Sequence, residues 1–357
     1  MENMKRIPFD PKELIPVGEE PSWFPGAPAR PIYATPITPK ENYLMLLSGE
    51  TPMWMPGMSD TTMMTVKLAE NVARGFVFEA ARIDNNTEAG GPDFFNVEWE
   101  YVPSVGGSMV RGGDPKVPDV EHWEDYITFP DVSKVMDWEA CAERNKDFTK
   151  PGKVLDITIL TGLFERLISF MDFENAAYAL VDEDQQDGVH RLFDKLCDFY
   201  DEYIDYYHRY LHPDMITFHD DWGSQRAPFF SLNTLEEMII PYLKRVVESV
   251  HKRGMKFELH SCGKNEMLVP GMIEAGVDTW SGQPMNDFEM LYEKYGDKIV
   301  LGMPITGLKP EMSDSELKNT IQAFVEKHPH ALGSTFSAPP KATEYLYEIS
   351  RKVYCGE

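Results

Sequence analysis

Cysteine is scarce in this chain. Cys141, Cys197, Cys262 and Cys355 are the four in 357 residues, too widely spaced for a disulfide framework. Long apolar runs are missing as well: no stretch would cross a bilayer, and the opening Met1-Glu2-Asn3-Met4-Lys5-Arg6-Ile7-Pro8 carries no apolar signal core. Basic residues are few, 34 Lys and Arg against 59 Asp and Glu, for a formal charge of −25. That balance argues against nucleic acid or a membrane surface as the main partner. A small anionic substrate stays open, since one local arginine cluster could overrule it. Neither G-x-G-x-x-G nor G-x-x-x-x-G-K-[ST] occurs, so a nucleotide-binding fold has no motif support. These absences predict a reduced, cytoplasmic protein.

What is present begins with proline. Nine prolines fall in the first forty residues, which excludes helix or central strand there. Trp23, Phe24, Ile32 and Tyr33 are too apolar for a free linker, so residues 1–40 are expected to be an ordered arm over the body or over a second subunit. Residues 41–357 are expected to form the main domain, with 42% apolar composition overall to build its core.

From about residue 150 short apolar runs alternate with long amphipathic segments. The expected strands are 154–160, 215–220, 255–262, 277–281, 299–303 and 331–336. Val189, Leu192, Phe193, Leu196, Tyr200, Ile204, Tyr207 and Leu211 keep helical spacing, as do Leu235, Met238, Ile239, Tyr242, Val246, Val247 and Val250. Strand-then-helix repetition implies parallel strands with helical crossovers. Ile216 and Phe218 oppose Thr217, His219 and Asp221, and Leu155, Ile157 and Ile159 oppose Asp156 and Thr158. One apolar face and one partly polar face fit a (β/α)8 TIM barrel better than an open sheet. Gly90-Gly91-Pro92-Asp93 and Val105-Gly106-Gly107-Ser108-Met109-Val110 look like turns of a β-hairpin insertion in the first half.

Polar residues collect at strand C-termini, where barrel chemistry sits. In Phe257-Glu258-Leu259-His260-Ser261-Cys262-Gly263, alternation puts Glu258, His260 and Cys262 on one face. An imidazole and a thiolate side by side suit Zn²⁺, and His260, Cys262 and Glu258 are the expected ligands, with Asp221, His219 and Cys355 as further candidates. Taken alone, an H-x-C pair is as well explained by a buried cysteine and a hydrogen-bonded core histidine. Adjacent Asp220 and Asp221 point to opposite faces, so one should face the site and the other cap the following turn. Met53-Trp54-Met55-Pro56-Gly57-Met58 reads as core packing or as an adaptable wall for a flat organic ligand.

Phe218-His219-Asp220-Asp221-Trp222-Gly223-Ser224-Gln225-Arg226, followed by Glu258-Leu259-His260-Ser261-Cys262-Gly263, resembles the uroporphyrinogen decarboxylase-like superfamily, and within it the corrinoid-dependent methyltransferase branch. Phe95-Asn96-Val97-Glu98-Trp99-Glu100 and Gly107-Ser108-Met109-Val110 are similar to members of methyl-transfer systems. The resemblance implies a (β/α)8 barrel with its site at the strand C-termini, and pairing into dimers. The decarboxylases hold their polyanionic tetrapyrrole with arginines near the first strand. The matching region here, Pro52 to Asp60, has none, which counts against uroporphyrinogen decarboxylation. Zinc thiol methyltransferases of the branch add a second cysteine near the last strand, where this chain reads Phe336-Ser337-Ala338-Pro339. That departure counts against a thiol acceptor and leaves room for an oxygen substrate.

The resemblance therefore implies transfer of a methyl group from a small-molecule donor, an aromatic methyl ether, to the cob(I)alamin of a separate corrinoid protein. No cobalamin-binding D-x-H-x-x-G pattern occurs in this chain. The expected catalytic residues are His260, Asp221 and Glu258, and the expected substrate contacts are Met53, Trp54, Met55, His219, Trp222 and Gln225. The alternatives are a methylcorrinoid:acceptor methyltransferase, with tetrahydrofolate or a thiol as acceptor, and a non-catalytic corrinoid or tetrapyrrole binder.

Overall fold

The computed structural model describes residues 7–20, 29–67, 77–81, 83–85, 87–149, 152–335, 338–339 and 341–356. Trp23 and Phe24 of the expected arm, and Phe336 and Ser337 near the last strand, lie outside them. In chain order the strands are β1 (Pro16–Glu20), β2 (Arg30–Tyr33), β3 (Thr61–Met64), β4 (Gly91–Pro92), β5 (Glu98–Val102), β6 (Gly107–Val110), β7 (Val154–Ile159), β8 (Met215–His219), β9 (Lys256–His260), β10 (Thr279–Ser281), β11 (Val300–Pro304) and β12 (Leu332–Ser334). The helices are α1 (Pro39–Leu47), α2 (Trp138–Asn145), α3 (Leu163–Met171), α4 (Phe173–Ala179), α5 (Gln186–Leu211), α6 (Leu232–Met238), α7 (Ile240–His251), α8 (Val269–Ala275), α9 (Phe288–Tyr295), α10 (Asp314–Lys327) and α11 (Lys341–Cys355).

The chain folds as two compact units, one of residues 1–61, 151–154 and 288–357, the other of 62–150 and 155–287. In the second unit the strand order is β3-β7-β8-β9-β10. β7, β8, β9 and β10 pair in parallel, and helices follow the strands as crossovers. The first unit holds the parallel pair β11–β12. Strand-helix alternation of this kind is the α/β, TIM-barrel-like class, with seven such strands among the described residues.

Each expected strand from 154 onward is found; the bounds move inward by one or two residues, except that β11 starts one residue late and runs on to Pro304. β7 is buried throughout, and the apolar face of β8 and β9 packs toward α5 through Tyr200, Phe218 and Phe257. α5 follows the expected spacing, with Val189, Leu192, Phe193, Leu196, Tyr200, Ile204, Tyr207 and Leu211 all buried. The next apolar period is interrupted. It breaks at Ile239 into α6 and α7, because Pro241 lacks the N–H that a continuous helix would need and sits instead in the first turn of α7.

The expected hairpin is β5–β6, closed by a turn in which the N–H groups of Val105 and Gly106 donate to the carbonyl of Val102, with β4 added at its edge. β1 and β2 form a two-stranded antiparallel ribbon, and Glu13 just before it accepts from Arg351 Nε at 2.8 Å and from the Tyr347 hydroxyl at 2.6 Å.

Candidate active site

β8 and β9 run side by side with His219 opposite His260, so their rings stack with centroids 4.7 Å apart. Two residues further on lie Asp221 and Cys262. One donor atom from each of His219, Asp221, His260 and Cys262 falls within 4.8 Å of the others. Cys262 Sγ is 3.5 Å from His260 Nε2, and Asp221 Oδ1 accepts the Cys262 N–H at 2.6 Å while lying 3.9 Å from His219 Nε2. His219 Nδ1 meets Glu165 Oε2 at 2.8 Å, which leaves Nε2 to the cluster.

The charges follow from this packing. Burial and the neighbouring His219 push the His260 pKa down to about 4, so this ring is a neutral donor. For His219 burial works against the charge, but Glu165, the Cys262 thiol and Asp221 outweigh it and lift the pKa well above the ordinary value. Burial raises Glu165 to about 7 against the pull of His219, and burial raises the Cys262 thiol. A cation placed among these donors would reverse the thiol's preference and hold it as thiolate.

The supports are backbone-deep. Asp220 turns away from the cluster, accepting from the N–H groups of Phe164 (3.1 Å) and Glu165 (2.8 Å) and from Trp222 Nε1 (2.9 Å). It thus caps α3, the helix after the preceding strand, instead of the turn after its own strand, and so fixes Glu165 beside His219. A Cβ on Gly162 would fall 2.4 Å from Asp220 Cβ, so only glycine lets this cap close. On the other side, Gly263 has φ +99° and lies against the Gly223 backbone, locking the loops after β8 and β9 together. Ser261 Oγ accepts the Trp222 N–H at 3.0 Å, and Asn265 donates to the Cys262 carbonyl at 2.6 Å.

His260, Cys262, Asp221 and His219 are thus brought together, and other expected residues stand elsewhere. Glu258 sits one strand layer deeper, outside the four-residue cluster. It bonds Ser281, and burial raises its pKa to about 7. Trp222 is fully buried and holds Asp220. Gln225 is exposed in the turn Ser224–Ala227. Met53, Trp54 and Met55 belong to the other unit, where all three are buried. There Asn42 Oδ1 accepts the Met53 N–H at 2.6 Å, and Trp54 packs on Tyr347. Cys355 Sγ is 2.8 Å from Arg351 Nη1 and 3.1 Å from the Ile7 carbonyl, in that same unit. Glu165 was not singled out from the sequence. Its signal is position: it lies in the first helical turn after a strand C-terminus, in Thr161-Gly162-Leu163-Phe164-Glu165.

The donor set fits zinc. Two imidazoles, a thiol and a carboxylate are its ordinary ligands, and the carboxylate behind His219 is the usual orienting partner of a metal-bound histidine.

The model of the uroporphyrinogen decarboxylase (URO-D) family matches residues 115–344. No curated protein sequence matches the chain. Among solved structures, a methyltransferase from Methanosarcina mazei is similar in fold, with a TM-score of 0.56 at 13% identity over 89% of this chain and 98% of that one. A sugar phosphate isomerase/epimerase from Parabacteroides distasonis is more distant, with a TM-score of 0.34 at 11% identity over 65% of this chain and 80% of that one. With well over half its length matched by the family model, the chain belongs to the uroporphyrinogen decarboxylase family.

Proposed function

We propose that this protein is a methyltransferase of the corrinoid-dependent type, moving a methyl group from an aromatic methyl ether to the cob(I)alamin of a separate corrinoid protein. The observation that carries the reading is the convergence of His219, Asp221, His260 and Cys262 at the C-terminal ends of β8 and β9. The fold similarity to a methyltransferase supports it, as does the lack of arginines between Pro52 and Asp60, where a polyanionic tetrapyrrole would need them.

These four residues would hold the zinc. When bound, zinc supplies a Lewis acid that makes the ether oxygen a better leaving group. One sulfur among four donors suits an oxygen substrate better than a thiolate. Asp221, whose Oδ1 is already engaged by the Cys262 N–H, is the donor best able to yield its place to substrate. Glu165 fixes the His219 ring and takes the hydrogen bond of Nδ1, so Nε2 faces the reacting centre. The stacked His260 stays neutral, which keeps its Nε2 lone pair available.

Metal analysis tests the reading. About one zinc per chain is expected after purification without chelators, and it should be lost in His260→Ala and in Cys262→Ala. Wild-type protein that takes up no zinc under saturating metal contradicts the Lewis-acid role. Methyl transfer from methylcobalamin to tetrahydrofolate or a thiol, with none from any ether, would assign the reverse direction instead.

A further inference from the structure

Glu165 orients His219, and α3 carries Glu165, so whatever holds α3 acts on the site from a distance. The Asp220 carboxylate accepts the N–H groups of Phe164 and Glu165. Bonds of that kind fix where a helix begins, whereas side chains further along must fix its rotation. Consecutive helical side chains point about 100° apart, so a modest turn of α3 would swing Glu165 off the His219 ring.

Arg166, the next residue, is the charged exception on this helix. The other buried side chains of α3 are Leu163, Phe164, Leu167, Ser169, Phe170 and Met171. The Arg166 side chain is 2% exposed, and its Nη1 meets Asp93 Oδ2 at 2.6 Å in the turn between β4 and β5. Its guanidinium lies over the Phe95 and Phe170 rings, 4.8 and 5.6 Å from their centroids. Asp93 is held in its turn by the chain around it. Its Oδ1 accepts the N–H groups of Phe95 (2.9 Å) and Val97 (3.0 Å), and its Oδ2 accepts from Trp99 Nε1 (3.2 Å). The turn closes on itself, with the Asp93 N–H on the Val97 carbonyl and the Asn96 N–H on the Asp93 carbonyl. Asp93 is therefore a fixed point of the hairpin insertion, and Arg166 ties α3 to it. A buried ion pair adds little net stability over an apolar pair of similar volume, because desolvation of both charges offsets their attraction. What it adds is direction, since a planar guanidinium paired with a fixed carboxylate restricts how the helix can be turned.

We propose that Arg166 is a positioning residue for the metal-ligand cluster: paired with Asp93 of the hairpin insertion, it sets the rotation of α3 and so keeps Glu165 on His219 Nδ1. Its effect on zinc rests on the metal reading of the cluster, whereas the Glu165–His219 hydrogen bond exists without a metal, so the two can fail separately.

The test is Arg166→Met in the full chain. Methionine keeps an apolar stem beside Phe95 and Phe170, and Asp93 keeps its three N–H donors. Two quantities are read on folded protein. One is the downfield Nδ1–H proton resonance of His219 in metal-free protein, assigned by its loss in His219→Gln. The other is zinc affinity, by competition with a chromophoric chelator. In Arg166→Met the resonance should vanish through exchange with water, as in Glu165→Gln, and zinc affinity should fall about 10-fold. Added to Glu165→Gln, Arg166→Met should cost about 2-fold or less in further affinity, because both act through one hydrogen bond. Asp93→Asn should repeat these effects from the other side of the pair, and it serves where Arg166→Met does not fold. A retained resonance with unchanged affinity in both variants, whatever their loss of stability, would overturn the proposal. So would full additivity with Glu165→Gln, or a wild type without the His219 resonance. A wild type that shows the resonance but takes up no zinc would contradict the metal reading, and the resonance in the variants then decides the positioning role by itself.

Discussion

The side chains of the candidate site divide into those that alternation reveals and those that only packing places. His219 and Asp221 share a strand face, as do His260 and Cys262, and each pair is visible in a two-residue period. The register that sets His219 against His260 is already a property of the sheet. Glu165 is invisible to any such period, because its place beside His219 depends on Asp220 capping α3 from another strand. Glu165→Gln keeps the size of the side chain and removes its charge. Zinc affinity, measured by competition with a chromophoric chelator, should fall by about 10–100-fold, and unchanged affinity would deny Glu165 its orienting role.

Asp60 offers a residue-scale test of electrostatics away from the site. Burial lifts its carboxyl to about 6, although the Gly57 N–H and Trp54 Nε1 both donate to it. A carboxyl whose pKa is higher in the folded chain binds protons more tightly there, so stability falls as pH rises from about 4 through 6. Compared with Asp60→Asn by urea unfolding, the wild type should lose about 2 kcal/mol between pH 4.5 and 7.5. The constant offset from the changed acceptor drops out of that difference, and parallel pH profiles for the two proteins would refute the account.

At the scale of elements, the strands were legible because β-branched and apolar runs are bounded by polar turns, and α5 because its apolar stripe is unbroken. The division of α6 from α7 was not legible from apolar spacing alone, since Ile239 and Tyr242 keep the period across the break that Pro241 imposes. The cap of α3 by Asp220 was half legible: the two adjacent aspartates do part company, but the helix that receives one of them is 55 residues upstream of it. Asp220→Ala removes that cap and strands the buried indole Nε1–H of Trp222, at a cost of about 2–4 kcal/mol in denaturant unfolding. Gly263→Ala should cost about 3 kcal/mol, because its Cβ would meet the Gly223 backbone at 2.3 Å and its φ is +99°. It should also lower zinc content, since the loops carrying Asp221 and Cys262 must separate. A Gly263→Ala protein with wild-type stability and full metal would contradict the locked-loop description.

At the scale of the whole molecule, the strand-helix alternation and the two-faced strands were enough to predict the TIM-barrel-like class. The region before residue 150 was harder to read because its contacts are made at long range. Arg351 is an instance. It is completely buried in the last helix, yet it binds Glu13, the carbonyls of Ile7 and Pro8, and the carbonyl of Met53. No local pattern announces a pairing across 338 residues. Arg351→Ala would leave Glu13 uncompensated and should cost about 3–5 kcal/mol, with the N-terminal ribbon becoming the first segment open to proteolysis.

The proposed function has His219, Asp221, His260 and Cys262 activate an ether oxygen while cob(I)alamin takes the methyl group. Its most direct test is to mix zinc-loaded protein with cob(I)alamin and a panel of aromatic methyl ethers, and to follow methylcobalamin by absorbance. At least one ether should yield methylcobalamin together with the matching phenol, and Cys262→Ser and His260→Ala should slow the reaction by about 100-fold or more. No methylcobalamin from any ether, even with a corrinoid protein as acceptor, or transfer undiminished in both variants, would contradict it.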